Sequence, residues 1–215
     1  MNNTVNTDLQ YLLSEHPELA SVKDKIKSAF STIYQAFSKD KFLFLCGNGG
    51  SAADSEHIAA ELLKGFLQKR PLAKARREKL DTVCRDPEIA QYLKNNLQQG
   101  CRAISLTSHI ALSTAMSNDV GADLVFAQQL NALGKKGDVL LAISTSGNAR
   151  NVELCAQVAR SLGIIVIGLT GEDGGRLKQV ADVLVNVPAR ETARVQELHL
   201  PVYHTLCAML EKALF

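Results

Sequence analysis

Two hydrophobic rhythms alternate along this chain. Runs of consecutive apolar residues mark short buried strands at Lys41–Cys46 (KFLFLC), Ala103–Thr107, Val139–Ser144 (VLLAIS), Ile164–Leu169 (IIVIGL) and Val183–Val187. Elsewhere apolar residues recur every three or four positions, the spacing of an amphipathic helix. Val22, Ile26, Ala29, Phe30, Ile33 and Phe37 stripe the segment Asp8–Lys39, which Pro17 interrupts. Further helices are predicted at about 51–66, with Ser51 as N-cap, and at 110–117, 152–162 and 174–180. A long final helix, Glu191–Leu214, contains Pro201, which removes one rung of its ladder and is expected to bend it. Strands that are apolar throughout belong to sheets covered on both faces. The alternation of strand and helix therefore predicts one α/β domain over residues 1–215, in three α/β/α layers with a central parallel sheet. Residues 1–40 form its N-terminal helical segment.

One stretch departs from this rhythm. Residues 68–100 are polar and basic, with Lys69, Arg70, Lys74, Arg76, Arg77 and Lys79 in a row and a helical pattern over Pro87–Gln99. This reads as a solvated helical excursion from the domain.

Composition narrows the function classes. A length of 215 residues suffices for one domain with a substantial core. The net charge of +2 is too small to mark nucleic acid or an anionic membrane as the main partner. Aromatics are 5% and Trp is absent, which argues against a base-stacking surface. Cys46, Cys84, Cys101, Cys155 and Cys207 are odd in number and scattered, so neither a disulfide framework nor a cysteine zinc site is expected. The start MNNTVNTDLQ has neither a basic nor an apolar stretch, and no run is long enough to span a bilayer. A cytoplasmic protein with reduced thiols is the expectation.

Candidate chemistry gathers at the carboxyl ends of the predicted strands, where open parallel sheets bind ligands. Cys46-Gly47-Asn48-Gly49-Gly50-Ser51 joins a strand to a helix. Its glycines allow close backbone approach to a ligand, and the helix start offers N–H groups and positive potential. It matches neither the P-loop nor GxGxxG, and a tight turn needs no ligand. Ser144-Thr145-Ser146-Gly147-Asn148 repeats the arrangement with three hydroxyls, where a helix cap needs only one. His57 and Glu61 stand four apart on one helix face, a surface pair or an acid–base pair in a cleft. The last helix carries Gln196, Glu197, His199 and His204, with Gln196 and His204 on roughly one face. His16 and His109 have no suggestive neighbours and read as structural.

Taken together these stretches resemble the sugar isomerase (SIS) domain family, and within it the phosphoheptose isomerase branch. The resemblance rests on CGNGGSAADSEHIAAEL from Cys46, SND from Ser117, GDVLLAISTSGNARNV from Gly137, LTGEDGG from Leu169 and RVQELHLPVYH from Arg194. It implies an aldose–ketose isomerase converting sedoheptulose 7-phosphate to D-glycero-D-manno-heptose 7-phosphate through an enediol. Glu61 matches the catalytic base and His204 its acid/base partner. Ser144, Thr145 and Ser146 match the phosphate loop. Asn48, Gly49, Gly50, Ser51, Asn118, Asp119 and Gln196 match the remaining substrate contacts. His57, Glu61, Gln196 and His204 match positions that hold zinc in some members, and no organic cofactor is implied. A homotetramer with sites at subunit interfaces follows from the same resemblance, with a sugar phosphate as the small-molecule partner.

Three departures qualify it. Ala149 and Ala193 stand where a Ser and an Asp are common, and residues 72–100 look inserted relative to typical members. A different sugar phosphate is one alternative. Another is a non-catalytic binding protein like the DnaA initiator-associating protein. That branch shares Ala52-Ala53 and Ala193, but its pattern lacks the acid at position 61 and the His at position 204.

Overall fold

A computed structural model describes residues 3–215. The chain opens with α1 (Asn3–Glu15), a 3-10 turn (Pro17–Val22) and α2 (Lys23–Phe37). Pro17 stands at the first position of that turn, where its missing N–H would have had no helical partner. There follow β1 (Leu43–Cys46), α3 (Gly50–Leu63), α4 (Lys74–Val83), α5 (Pro87–Asn96) and β2 (Ala103–Ser105). Next come α6 (Ile110–Asp119), a short 3-10 turn (Ala122–Leu124), α7 (Val125–Leu133), β3 (Val139–Ser144) and α8 (Arg150–Ser161). The chain ends with β4 (Ile165–Thr170), a 3-10 turn (Arg176–Gln179), β5 (Val183–Asn186) and α9 (Thr192–Leu214).

The five strands form one parallel sheet in the order β2-β1-β3-β4-β5. Strand alternation divides their side chains between two cores. Leu43, Leu45, Leu141, Ile143 and Ile167 pack beneath α1, α2, α3 and α9. Phe44, Cys46, Leu140, Ala142 and Val166 pack beneath α7 and α8. Both faces are thus dry, which is why the strands read as continuous apolar runs.

Several boundaries differ from expectation for identifiable reasons. Gly174 and Gly175 both take positive φ, 71° and 50°, so the helix expected over 174–180 shrinks to the turn Arg176–Gln179. Helix α3 begins at Gly50 with Gly49 as its N-cap, and Ser51 lies inside the first turn, buried, rather than capping it. Helix α9 continues through Pro201 without a break. The polar excursion resolves into α4 and α5, closed at its base by the Pro71–Gln98 bridge and by Gln99 N–H donating to the Arg70 carbonyl. Lys74, Arg76, Arg77 and Lys79 are all exposed. Among the described residues no helix is long and apolar enough to cross a membrane, and the cysteines are free.

Candidate active site

In this strand order the chain reverses direction between β1 and β3, and the loops leaving the carboxyl ends of those two strands border the crevice where such sheets bind ligands. A cavity of about 350 Å³ lies there. Asn48, Gly49, Gly50 and Ser51 line it from the loop after β1, Ser144, Thr145 and Ser146 from the loop after β3, and Gln196 from α9. A Cβ on Gly50 would lie 2.2 Å from Gln196 Nε2, so only glycine lets that amide meet the turn. Gly147 has φ +68°, and a Cβ there would strike the Gly174 carbonyl at 2.1 Å, which fixes the second loop against the Gly174-Gly175 turn. Asn48 and Asn151 exchange amide hydrogen bonds of 2.8 and 2.9 Å and tie the two loops together. No Lys or Arg lines the cavity; its polar groups are hydroxyls, amides and backbone at the starts of α3 and α8. That suits an anion held by N–H groups and helix dipoles.

A second cluster forms between α3 and α9, which lie side by side and run the same way. Gly50 abuts Gln196, His57 contacts Tyr203 and His204, and the Phe66 N–H donates to Glu211 Oε1 at 2.8 Å. His57 Nε2 stands 3.3 Å from Glu61 Oε1 and 3.5 Å from His204 Nε2. Lys64 Nζ donates to the other Glu61 oxygen, Oε2, at 3.1 Å. The Glu61 side chain is 16% exposed, so the carboxylate is largely withdrawn from water. Burial pushes His204 below the ordinary histidine value; His57 adds to that and Glu61 partly opposes it. His204 is thereby held neutral near pH 7, free to take or give a proton.

The predicted residues therefore fall into separate groups. Asn48, Gly49, Gly50, Ser51, Ser144, Thr145, Ser146 and Gln196 share the cavity; His57, Glu61 and His204 share the helix cluster. At 1.5 Å per residue, Glu61 lies about 16 Å along α3 from Gly50, and His204 about 12 Å along α9 from Gln196. Asn118 and Asp119, bonded to each other at 2.8 Å, end the exposed helix α6 and line neither. Gln196 thus stands apart from the other three residues of the zinc set. Among the described residues no group of three or more His, Cys, Asp or Glu side chains is arranged to hold a metal. His57, Glu61 and His204 are gathered here, Gln196 is turned toward Gly50 instead, and a zinc site made of all four is not shown.

Sequence reasoning missed the groups around the cluster. Tyr203 donates to Asp54 Oδ1 at 3.2 Å and meets His57 Nδ1 at 3.1 Å. Asp54 was detectable: it lies three residues before His57, on the same helix face. Tyr203 and Asn151 carried no such signal.

Comparison with known proteins agrees with this architecture. The SIS domain family model matches residues 16–94 and 90–171, two stretches that meet inside α5 of the excursion. A phosphoheptose isomerase of Clostridium acetobutylicum is 38% identical over 192 residues, covering 89% of this chain and 84% of its own. One from Akkermansia muciniphila is 31% identical over 215 residues, covering 100% and 99%. The solved structure of phosphoheptose isomerase GmhA from Neisseria gonorrhoeae superposes with a TM-score of 0.73 at 32% identity, covering 97% of both chains. By these matches the chain belongs to the SIS domain family, among the phosphoheptose isomerases.

Proposed function

We propose that this chain is an aldose–ketose isomerase that interconverts sedoheptulose 7-phosphate and D-glycero-D-manno-heptose 7-phosphate, acting as a homotetramer in the cytoplasm. The observation that carries the reading is Glu61: a largely buried carboxylate with one oxygen on Lys64 and the other facing the His57 imidazole, which in turn meets His204. Relatives named for this activity match nearly the whole chain.

The phosphate would sit at Ser144, Thr145 and Ser146, with Asn48, Gly49, Gly50, Ser51 and Gln196 along the sugar. Asn118 and Asp119, outside this chain's cavity, would contact substrate from a neighbouring copy. Glu61 would take the proton from C1 of the ketose, leaving a cis-enediol, and return it to C2. His204, neutral, would accept the O1 proton and give one to O2, so the aldose forms with no net gain or loss of protons. Fixing the phosphate supplies orientation rather than bond-making. No step is routed through zinc, because Gln196 and His204 of one chain lie two turns of helix apart.

The test is direct. The pure protein is incubated with sedoheptulose 7-phosphate and with pentulose and hexulose phosphates, and aldose formation is followed by NMR. Turnover is expected for the heptulose phosphate above the others. A protein that binds these sugars and turns over none is a binding module, and the isomerase reading then fails.

A further inference from the structure

The protons around His57 can be counted from its surroundings. Asp54 Oδ1 accepts from the Tyr203 hydroxyl at 3.2 Å, while Asp54 Oδ2 is buried with no partner. A carboxylate only accepts, so the single Tyr203 proton is committed to it. Tyr203 is 1% exposed, and its oxygen also lies 3.1 Å from His57 Nδ1. With its proton spent, that oxygen can only accept there, so the proton of that contact belongs to Nδ1. In a neutral imidazole the other nitrogen, Nε2, is then bare. Nε2 is the atom that faces Glu61 Oε1 at 3.3 Å and His204 Nε2 at 3.5 Å.

We propose that Asp54 and Tyr203 are positioning residues that hold His57 as its Nδ1–H tautomer, so that its bare Nε2 leaves Glu61 Oε1 without a donor. This rests on the isomerase reading for its consequence, though not for its geometry. The opposite tautomer would place an N–H against Oε1. Lys64 already occupies Oε2, so both oxygens of the base would then be engaged. With Nε2 bare, Oε1 stays open to a substrate C–H. His57 Nε2 then accepts from His204 Nε2 at 3.5 Å, and Oε1 is the acceptor left for the hydroxyl hydrogens of an enediol. Burial pushes Tyr203 well above the ordinary phenol value, and the neighbouring Asp54 adds to this, so Tyr203 keeps the proton the arrangement needs. Burial also raises Asp54, with the Tyr203 hydrogen bond and His57 opposing. A protonated Asp54 would run the chain of hydrogen bonds in reverse and put the proton on Nε2.

The tautomer is read without substrate, in full-length protein labelled with ¹⁵N-histidine, from two-bond proton–nitrogen correlations. The His57 signals are assigned by their loss in His57→Gln. Wild type is expected to show Nδ1–H. Tyr203→Phe is expected to move His57 toward Nε2–H and to lower kcat about tenfold with KM changed less than about twofold, the lower end of the range for losing the hydrogen-bonded partner of a ligating histidine. Asp54→Asn keeps an acceptor for Tyr203 and should keep the Nδ1–H tautomer, whereas Asp54→Ala should lose it. Nε2–H in the wild type overturns the proposal, as does a Tyr203→Phe protein with unchanged tautomer and kcat. If wild type shows Nδ1–H but isomerises nothing, the isomerase reading fails and the orientation of His57 stands.

Discussion

At the scale of single residues, the same kind of side chain does opposite things in two places on α9. His204 lies beside His57 at the cluster, while His199, just over a turn earlier, is fully buried. The two carboxylate–imidazole roles predict separate losses. Glu61→Gln keeps shape but cannot take a proton, and His204→Asn cannot relay one. Each should lower kcat by about 100- to 10,000-fold with the fold intact; near wild-type rates in both would reject the assignment. Because burial and His57 depress His204, the acid limb of kcat/KM should lie below pH ~6.5, the ordinary histidine value. His199 predicts a stability effect instead. Burial lowers it from 6.5 to about 4; the nearby Thr170 backbone opposes weakly, too far off in geometry to make a full hydrogen bond to either ring nitrogen. Between those values the unfolded chain binds a proton that the folded chain refuses. Stability is therefore full above pH 6.5 and is lost as pH falls toward 4, by roughly 3 kcal/mol. His199→Leu should flatten this part of the urea-denaturation profile; an unchanged slope between pH 6.5 and 4 would count against the buried neutral histidine.

At the scale of elements, α3 depends on what lies past its end. Arg70, from the start of the excursion, is buried and donates to the carbonyls of Leu62 (2.9 Å) and Glu61 (3.2 Å). Its Nε meets Glu211 Oε1 at 2.7 Å, and Glu211 also accepts the Phe66 and Leu67 N–H groups. One ion pair thus terminates α3, satisfies carbonyls that helix ends leave open, and ties α3 to α9. Arg70→Ala would strand Glu211 as a buried charge and should cost about 3–5 kcal/mol, whereas a double change to Met at 70 and 211 should cost less at the ion pair itself. Thermal and urea unfolding of both variants decide it, and equal losses would mean that the pair acts only through the Phe66 and Leu67 amides. Arg70 also marks the limit of sequence reading. The strands, α2 and α9 were legible because apolar periodicity is a local signal, and the turns at Gly47–Gly50 and Ser144–Asn148 were legible from residue type. Arg70 looked like one more cation in the run from Lys69 to Lys79, since only tertiary placement separates a buried arginine from solvated ones. Helix α7 escaped notice because the stretch after Asp119 carries no strong cap or break. The 174–180 helix failed because two adjacent glycines permitted a left-handed turn that periodicity cannot register.

At the scale of the whole molecule, the spacing of the two clusters sets the argument. A seven-carbon sugar phosphate spans on the order of 10 Å, from carbon–carbon bonds of about 1.5 Å. Gly50, on the rim of the cavity, and Glu61 of one chain are separated by about 16 Å along α3. A site that takes Glu61 from one copy and the phosphate loop from another would shorten that span, and this is the arrangement the homotetramer reading predicts. The surface around Glu61 is suited to a partner: Leu63 and Leu67 near the end of α3 are 55% and 61% exposed, and an apolar-lined cavity of about 410 Å³ opens between α3 and the edge strand β2. Light scattering at micromolar concentration should give the mass of four copies; a monomer would remove the interface and the shared site with it. Mixed oligomers make the sharper test. Glu61→Gln should be inactive alone, and so should Ser146→Glu, whose added charge repels a phosphate. Refolded or co-expressed together in equal amounts, they should form some sites with Glu61 from one parent and Ser146 from the other. Random assembly makes these about a quarter of all sites, and activity should recover to about that share of wild type. If the two parents assemble together and no activity returns, each site is built within one chain and the shared-site reading fails.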